Sequence, residues 1–424
     1  MSSQEKSLPK KLIALDTSYT LEDIEKRGIL NSVTCRDLDG YFEHVWTVHP
    51  FATIITTDAW ASKYGKAQWH TLSARHTFIE GKIGRYAWLK NIFPLNFLAS
   101  QTGLFFTLRR LIKKEKISVV RVGDPLYLGL FGWLLARVCK IPLVVRVGGN
   151  HDKVFETTGR PMQKRLFFNR NIEKRVEHFV FSRANLVAGA NYDNLNFALA
   201  NGARKENSTI FRYGNLLYEG HFTDPKNRKD GTGLLNDIGI KPNSFLLYIG
   251  RLEKVKHPDH VLKTLADVRK NGHDVKALLV GDGAMLDELK QLAISYNVAD
   301  QVVFAGNQNQ EWLSRIIPLS AVVLSPHTGR ALSEAALGGV AVVAYDIDWQ
   351  SELIENEVTG LLIPHPQQKE FSDATERFLD DKPFAEKMAA ALKEKAFDML
   401  DPRKLNQHEI DEYNALLMRN KKHD

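Results

Sequence analysis

The chain has 424 residues, enough for two or three domains, and its 44% apolar and 25% charged residues fit a soluble protein with a sizeable core. The two cysteines, Cys35 and Cys139, exclude a disulfide framework and a cysteine-rich metal site, and they favour a reducing, cytoplasmic compartment. The net charge of +7 suits an anionic ligand or an anionic membrane surface, and without a recognised reading motif nucleic acid is not an expected partner.

Short apolar runs alternate with amphipathic runs through the first half of the chain. We predict strands and helices there at 12–15 (strand), 44–48 (strand), 93–116 (helix), 117–122 (strand), 128–139 (helix), 142–147 (strand), 185–188 (strand), 191–202 (helix) and 208–211 (strand). The region between the second strand and residue 93 is rich in aromatic side chains and shows no clear period. The alternation indicates a parallel, doubly wound sheet. The longest apolar run, 126–136, is too short to span a bilayer.

A polar, charged segment interrupts this pattern at 223–233, and the alternation then restarts. The second half predicts six strands, at 245–249, 276–280, 301–304, 321–324, 340–344 and 361–363, separated and followed by helices. We therefore predict an amino-terminal domain at 1–222, a linker at 223–234, a carboxyl-terminal domain at 235–400 and a final helix at 401–424 that packs back on the first domain. The fold class is α/β, with two doubly wound, Rossmann-like domains facing across a cleft.

The loop after strand 245–249 is the first candidate site. Gly250 ends the strand, lets the backbone turn sharply and lets a ligand approach closely. Arg251 and Lys256 follow, and a planar guanidinium with a compact ammonium suits two adjacent phosphates. Open α/β sheets bind ligands at the carboxyl ends of their strands, so we predict that this loop binds a diphosphate and stabilises the charge that develops on it as it leaves. A solvated basic loop is the alternative.

A second glycine-containing turn, Gly281-Asp282-Gly283, follows strand 276–280. It has the start of a dinucleotide-binding fingerprint, but Leu286 stands where the third glycine is required and no acidic residue ends the next strand. We therefore expect Gly281 either to line a nucleotide pocket or to form only a tight structural turn.

The segment 325–339 is the second candidate site. Thr328, Gly329 and Arg330 lie at the first turn of a predicted helix, where free N–H groups and the helix dipole favour a phosphate or a sugar hydroxyl. Glu334 lies one turn further, where its carboxylate can accept hydrogen bonds from the paired hydroxyls of a ribose. An exposed helix glutamate is the alternative. We expect this segment to face the loop after strand 245–249, so that the two together hold a nucleoside diphosphate-sugar.

A run of motifs over residues 244–365 resembles the carboxyl-terminal half of family 4 glycosyltransferases: GRL-x3-K, VGDG, VVFAG, SEAALGGVAVVA and ELIENEVTGLLI. That family has the two-domain GT-B fold and retains the anomeric configuration of the sugar. The resemblance implies a nucleotide-sugar donor on the second domain, an acceptor on the first, and no obligatory metal or other cofactor. It assigns Arg251 and Lys256 to the donor diphosphate, Glu334 to the ribose and Asn307 to the neighbourhood of the base.

The chain departs from the family's pattern on the side of the donor sugar. The family usually has two glutamates separated by seven residues, but Pro326 stands eight positions before Glu334 and the loop 327–330 is short. We therefore expect Arg330 to share in binding the sugar or the phosphates.

The acceptor side departs further. The family often has a histidine after the strand that corresponds to 142–147, where this chain has Gly148-Gly149-Asn150. His151 is the first candidate for an acceptor-side catalytic residue and Asp124 the second; for each, an ordinary loop residue is the alternative.

These observations together predict a retaining glycosyltransferase that moves a sugar from a nucleotide-sugar to a carbohydrate or lipid-linked acceptor in cell-envelope or exopolysaccharide biosynthesis. A non-catalytic nucleotide-sugar-binding subunit and a nucleotide-sugar epimerase are the alternatives. The basic end of helix 93–116 predicts a peripheral contact with an anionic membrane, at the inner face of the plasma membrane, through Arg109, Arg110, Lys113, Lys114 and Lys116. A core helix with a solvated end is the alternative there.

Overall fold

The computed structural model describes residues 10–27, 29–52 and 63–421. The chain divides into two compact units. The first unit comprises Met1–Arg212 together with Arg403–Asp424, and the second comprises Tyr213–Pro402. Each unit is a doubly wound α/β domain built on its own sheet, as the alternation of strands and helices predicts.

The first unit contains, within the described residues, one eight-stranded sheet in the order β3-β4-β2-β1-β5-β6-β7-β8. Its strands are β1 (Lys11–Leu15), β2 (His44–His49), β3 (Gln68–Ser73), β4 (His76–Glu80), β5 (Val119–Val122), β6 (Leu143–Val147), β7 (Leu186–Gly189) and β8 (Ser208–Ile210). Neighbours pair in parallel except β3 and β4, which are antiparallel. The central strands are buried on both faces, which explains their near-continuous apolar sequences.

Helices cover both faces of this sheet. They are α1 (Leu21–Arg27), α2 (Asn31–Thr34), α3 (Phe93–Glu115), α4 (Tyr127–Cys139), α5 (His151–Thr158), α6 (Lys164–Phe167), α7 (Arg170–Phe181) and α8 (Tyr192–Ala200). Asparagine side chains start three of them, because Asn150, Asn169 and Asn191 each accept a hydrogen bond from a backbone N–H of the first helical turn.

The second unit has a six-stranded, fully parallel sheet in the order β11-β10-β9-β12-β13-β14, and its backbone is described throughout from 213 to 402. Its strands are β9 (Phe245–Ile249), β10 (Lys276–Val280), β11 (Val302–Gly306), β12 (Val322–Ser325), β13 (Val342–Asp346) and β14 (Leu361–Pro364). Its helices are α9 (Thr232–Asn236), α10 (Pro258–Lys270), α11 (Leu286–Ser295), α12 (Gln310–Ile316), α13 (Arg330–Leu337), α14 (Gln350–Leu353), α15 (Gln368–Asp380) and α16 (Lys382–Leu400). Two buried clusters, one on each face of the sheet, form its core.

The boundary between the units differs from the predicted one. The predicted linker at 223–234 belongs to the second unit, which begins at Tyr213. Leu217 and Leu235, on either side of that segment, are buried in the core of the second unit. Arg228 fixes the polar stretch, since its guanidinium donates hydrogen bonds to the carbonyls of Ser314 (3.0 Å) and Leu337 (2.7 Å). The polar composition of this segment therefore reflects hydrogen bonds that fix it to the second unit. It does not indicate a free linker.

The last helix, α17 (Pro402–Lys421), belongs almost entirely to the first unit. Tyr413 and Leu416 are buried in the core beside β1 and β6. Glu409 is 1% exposed, and its carboxylate lies 3.5 Å from Nη1 of Arg146 and 3.9 Å from Nη1 of Arg121. The helix therefore supplies both apolar surface and a buried countercharge to the first sheet.

Candidate functional site

The order of strands in the second sheet defines a crevice between β9 and β12. The chain runs from β9 to β10 and β11 on one side and then crosses to β12 on the other, so the strand order reverses between β9 and β12. In open α/β sheets a ligand binds outside the carboxyl ends of the two strands at such a switch point. The loops at these ends are 250–257 and 326–329, the two that the sequence predicts to face each other.

The two loops are in contact. Nδ1 of His327 lies 3.0 Å from the carbonyl oxygen of Val255, and Nε2 lies 3.5 Å from a carboxylate oxygen of Asp348. Behind the second loop, the buried Gln350 side chain accepts a hydrogen bond from the Ser325 hydroxyl (3.0 Å) and donates to the carbonyls of Tyr345 and Pro326. A fully satisfied buried amide of this kind fixes the backbone of the loop.

Close backbone packing at the carboxyl ends of β9 and β10 explains the glycines of the candidate site. The Gly250 N–H donates to the Val280 carbonyl (3.0 Å), and the Gly281 N–H donates to the Gly306 carbonyl (2.8 Å). Gly281 has a φ of +138°, and a Cβ there would lie 1.9 Å from the carbonyl oxygen of Gly250. A Cβ on Gly250 itself would lie 2.8 Å from the Tyr248 hydroxyl. Only glycine fits at Gly281, which favours the structural-turn alternative for this residue.

Arg251 and Lys256 lie on the first loop in different environments. The Arg251 side chain is 66% exposed and pairs with Glu253 at 2.8 Å. Lys256 is partly buried, and within the described part of the chain its ammonium forms no ion pair at 4.0 Å or less. Burial, and then the nearby Arg251, lower the pKa of Lys256. A partly buried ammonium without a carboxylate partner is suited to accept an anion.

Glu334 is buried on α13 and is held by a chain of polar side chains. Its carboxylate lies 3.6 Å from Nε of Arg330, and the nearby Gln310 side chain lowers its pKa slightly. Oε1 of Gln310 lies 2.9 Å from Nε2 of His221, whose side chain is fully buried. Burial raises the pKa of Glu334, and Arg330 opposes this shift. The alternative of an exposed helix glutamate is therefore wrong: Glu334 is 2% exposed.

The start of α13 carries the other predicted donor contacts. Gly329 precedes the helix with φ +65° and ψ −125°, a conformation open essentially to glycine alone, and no side chain of the described residues caps the first turn. The Thr328 hydroxyl is hydrogen-bonded to Ser325 and anchors the loop. Asn307 is exposed directly after β11, and both β10 and β9 lie between β11 and β12 in the sheet. The first turn of α13 thus keeps backbone donors available for a ligand.

The first sheet has its own switch point, between β1 and β5. Asp16 directly follows β1, and Gly123 and Asp124 directly follow β5. The N–H of Gly123 donates a hydrogen bond to the carbonyl of Leu15 (2.9 Å), which joins the ends of the two strands. Although burial opposes ionisation of Asp16, Arg36 and Ser18 hold its pKa at about 2. Burial raises the pKa of Asp124 to about 6, and Asp16 adds to this effect. A carboxyl group with a pKa near neutrality at a switch point is suited to exchanging a proton.

His151, the other acceptor-side candidate, begins α5 and is buried. Its Nδ1 lies 2.7 Å from Oε1 of Glu177, and Glu177 also accepts two hydrogen bonds from Arg170 at 2.7 Å each. His151 is therefore held in a buried ion cluster rather than on an open loop. Its imidazole lowers the pKa of Asp124, in opposition to the larger effect of burial.

Sequence reasoning missed a histidine at the same edge of the first sheet. His49 ends β2, is fully buried, and both its ring nitrogens are without a hydrogen-bond partner among the described residues. Burial lowers its pKa to about 4, and the Asp16 carboxylate opposes that shift. Its place directly before Pro50, at the carboxyl end of a predicted strand, is the signal that could have identified it.

Comparison with known proteins supports the resemblance seen in the second half. Residues 236–397 match the family model described as "Glycosyl transferases group 1". The chain is 24% identical over 269 residues to an alpha-D-kanosaminyltransferase of Streptomyces kanamyceticus, covering 61% of this chain and 67% of that protein. It is 26% identical over 285 residues to a UDP-Gal:alpha-D-GlcNAc-diphosphoundecaprenol alpha-1,3-galactosyltransferase of Escherichia coli, covering 65% of this chain and 70% of that protein. The matches with three other curated relatives span 39%, 50% and 35% of those proteins.

A solved structure shows the same fold. The Anabaena protein HepE, crystallised with UDP and glucose, matches 96% of this chain and 100% of its own with a TM-score of 0.70 at 17% identity. The predicted GT-B fold class is confirmed. The resemblance of residues 244–365 to a glycosyltransferase family is confirmed at the level of group 1.

Proposed function

We propose that this protein is a retaining glycosyltransferase of family 4, which transfers a sugar from a nucleoside diphosphate-sugar to a carbohydrate or lipid-linked acceptor. The observation that carries the proposal is the contact between the loops after β9 and β12, which brings Lys256 and the start of α13 to one crevice. Lys256 and Arg251 bind the diphosphate, and Glu334 binds the ribose. The HepE crystal contains UDP, and the Escherichia coli relative is named for UDP-galactose, so uridine diphosphate is the first nucleotide to test.

The chemistry of the proposed transfer follows from the charges. As the bond between sugar and diphosphate breaks, negative charge develops on the diphosphate, and fixed positive groups stabilise it more than they stabilise the intact donor. The departing phosphate then accepts the proton of the acceptor hydroxyl, which attacks from the same face, so the anomeric configuration is retained. This route needs neither a nucleophilic carboxylate nor a metal ion. Asp124 and His151 are proposed to act on the acceptor.

The role of Glu334 can be tested by comparing the binding of nucleotides with and without the 2′-hydroxyl of the ribose. If the carboxylate accepts a hydrogen bond from the 2′-hydroxyl, the protein binds uridine diphosphate about tenfold or more tightly than the 2′-deoxy form, as expected for a hydrogen bond to a charged group. Glu334→Gln keeps the shape of the side chain and removes its charge, so this preference is expected to shrink to about twofold. Calorimetric titration with both nucleotides measures it.

Glu288→Gln is the matched control, because Glu288 is an exposed glutamate on α11 of the same unit. It is expected to retain the full preference. If Glu334→Gln also retains it, Glu334 does not bind the ribose, and the assignment of this site is wrong. A thermal-shift panel of uridine, guanosine, adenosine and thymidine diphosphate-sugars comes first, since the true donor stabilises the fold by mass action.

The identity of the reaction is decided by its products. Transfer with retention predicts a nucleoside diphosphate and a new glycoside whose anomeric configuration, read by NMR, equals that of the donor. Binding of the donor without transfer across a broad acceptor panel would instead indicate a non-catalytic subunit. A new sugar nucleotide formed from the donor alone would indicate an epimerase. Lipid-linked saccharides belong in the panel because the Escherichia coli relative's name contains diphosphoundecaprenol, and this also supports a role in envelope or exopolysaccharide biosynthesis.

A membrane contact is proposed from the outer face of α3. Within the described residues, no helix has both the length and the apolar character needed to cross a bilayer. The exposed positions Leu95, Leu98, Thr102, Phe106, Arg110 and Lys113 follow one another at intervals of three or four residues. They therefore form one stripe, apolar at its start and basic at its end. Trp88, which is 76% exposed, lies just before the helix. Such a stripe suits the surface of an anionic bilayer, at the inner face of the plasma membrane.

The stripe predicts binding to vesicles in a co-sedimentation assay. The protein is expected to bind phosphatidylglycerol vesicles and to leave them at high salt, because exposed charges are screened. Leu98→Glu should weaken binding by about tenfold, since Leu98 is 62% exposed and its insertion contributes up to about 2 kcal/mol. Ile294→Glu, at an exposed apolar position in the second unit, is the control. Equal loss in both variants, or equal binding to phosphatidylcholine vesicles, would exclude this membrane face.

A further inference from the structure

Three histidines surround one buried tyrosine beside the first loop of the second unit. The rings of His260 and His365 each lie 4.8 Å from the ring of His257, measured between centroids. Nε2 of His257 and Nε2 of His365 are 2.9 Å apart, so the two nitrogens point at each other. Nδ1 of His260 lies 2.7 Å from the hydroxyl of Tyr345, which is fully buried. Neither the proposed transfer reaction nor the donor site uses this group of side chains.

A carboxylate completes the group. One ligand atom each from His257, Asp259 and His260 lies within 4.8 Å of the other two. Oδ1 of Asp259 is buried and accepts no hydrogen bond from any residue that the structure describes. A buried carboxylate oxygen without a partner costs free energy, and natural proteins rarely leave one without a reason. A bound cation would satisfy it.

We propose that His257, Asp259 and His260 bind a divalent transition-metal ion, with His365 as the fourth ligand. Imidazole nitrogens together with one carboxylate oxygen suit zinc, nickel or cobalt, whereas magnesium and calcium prefer sites made of oxygen ligands. The hydrogen bond between His260 and Tyr345 occupies one ring nitrogen and fixes the orientation of the ring. A partner of this kind behind a histidine ligand is a regular feature of metal sites.

The spacing of one pair of nitrogens, those of His257 and His365, is close to that of two ligands on one ion. Ligand nitrogens lie about 2.0–2.1 Å from zinc, so two of them on one ion are about 3–3.4 Å apart. The separation of 2.9 Å between His257 and His365 needs only a small opening to admit the ion. Without the ion, the two rings share one N–H···N hydrogen bond. On binding, the ring that donates this bond changes tautomer, so that both Nε2 atoms present a lone pair to the ion.

The proposed ion joins two parts of the second unit that are far apart in the sequence. His257 directly precedes α10, and His365 directly follows β14. An ion bound to both histidines would cross-link these two segments, and it would stabilise the folded state by mass action. His257 also follows Lys256 directly, so the ion holds the end of the loop that carries this lysine.

Calorimetric titration of untagged, chelator-treated protein with zinc, nickel and magnesium chloride tests the proposal. We expect one zinc or nickel ion per chain, no comparable binding of magnesium, and a rise in the thermal midpoint of unfolding with zinc. His260→Ala and His365→Ala are each expected to weaken binding by about tenfold or more. His273→Ala is the matched control, because His273 lies in the other histidine–carboxylate group of the described residues, with Glu376 and Asp380. It should bind the ion as the wild type does.

If a histidine variant is unstable, Asp259→Asn still tests the proposal, since it changes only the charge of one side chain. It is expected to weaken binding of the ion and to leave the thermal midpoint of the metal-free protein within a few degrees of the wild type. The proposal is overturned if the wild type binds no transition metal, or if His273→Ala loses the ion while His365→Ala keeps it. These readouts do not involve a nucleotide-sugar, so their failure is separate from a failure of the proposed transferase function.

Discussion

Lys256→Ala is expected to lower the rate of sugar transfer by about 10²-fold or more, the usual effect of losing one fixed group that stabilises developing charge. Lys256 is partly buried, and its ammonium forms no ion pair at 4.0 Å or less within the described residues, so an incoming diphosphate is its natural partner. Burial lowers the pKa of this ammonium, and a bound anion would raise it again. The measurement is kcat at saturating donor, because the stabilisation acts mainly in the transition state.

Lys254→Ala is the matched control for this prediction. Lys254 lies in the same 3₁₀ turn, Lys254–Lys256, but its side chain is exposed. It is expected to keep kcat within about twofold, as substitutions at exposed positions away from a site usually do. A Lys256→Ala variant that turns over like the Lys254→Ala variant would place the diphosphate elsewhere.

Gly281→Ala is expected to destabilise the second unit by about 3 kcal/mol or more. The added Cβ would lie 1.9 Å from the Gly250 carbonyl oxygen, which is backbone and cannot rotate away, and the φ of +138° adds strain for any side chain. We expect a lower denaturation midpoint in urea or, at the extreme, loss of soluble protein. Since Gly250 and Arg251 would be displaced together, donor binding should weaken in any protein that still folds.

Gly272→Ala separates backbone strain from steric overlap. Gly272 also has a positive φ, +99°, and also lies in the second unit, but a Cβ there would meet no atom of the described residues within 4 Å. Its substitution is therefore expected to cost only about 1–2 kcal/mol, the strain contribution alone. Equal destabilisation by the two substitutions would show that the loops after β9 and β10 do not pack as closely as described.

The fold was predictable where the hydrophobic pattern is local and regular. In the second unit, the predicted strand 245–249 has the bounds of β9 itself, and the other five strands agree within about two residues, because parallel strands buried on both faces read as continuous apolar runs. The antiparallel pair β3 and β4 was missed. Residues of β3 are largely exposed, so an edge strand such as this shows neither an apolar run nor a clean alternation.

The helices between β6 and β7 were also missed, for an electrostatic reason. The buried face of α7 carries Arg170, Glu173 and Glu177, which neutralise one another in the interior. Charged residues at core positions break the apolar period on which helix prediction depends. The same ion cluster determines the position of His151, which therefore could not be placed by sequence.

In the candidate site, the residues that directly follow a strand or begin a helix were predictable. Their contact partners from distant parts of the sequence were not. Gly250, Arg251 and Lys256 follow one strand directly, and Glu334 lies one helical turn beyond Gly329, so strand ends and helix starts were enough to propose them. Gln310, which acts on Glu334, and its hydrogen-bond partner His221 are 89 residues apart in the chain, and no local pattern connects them. The same holds for His257 and His365, which are 108 residues apart.

We propose that the loop after β9 binds a diphosphate through Lys256, and calorimetric affinities for uridine diphosphate and uridine monophosphate test this most directly. If the donor panel identifies another base, its diphosphate and monophosphate replace these two. The wild type and Lys254→Ala are expected to prefer the diphosphate by about tenfold or more, because a second phosphate gains charge-assisted hydrogen bonds. Lys256→Ala is expected to bind the monophosphate nearly as the wild type does and to lose most of this preference. A full preference for the diphosphate in Lys256→Ala would contradict the account.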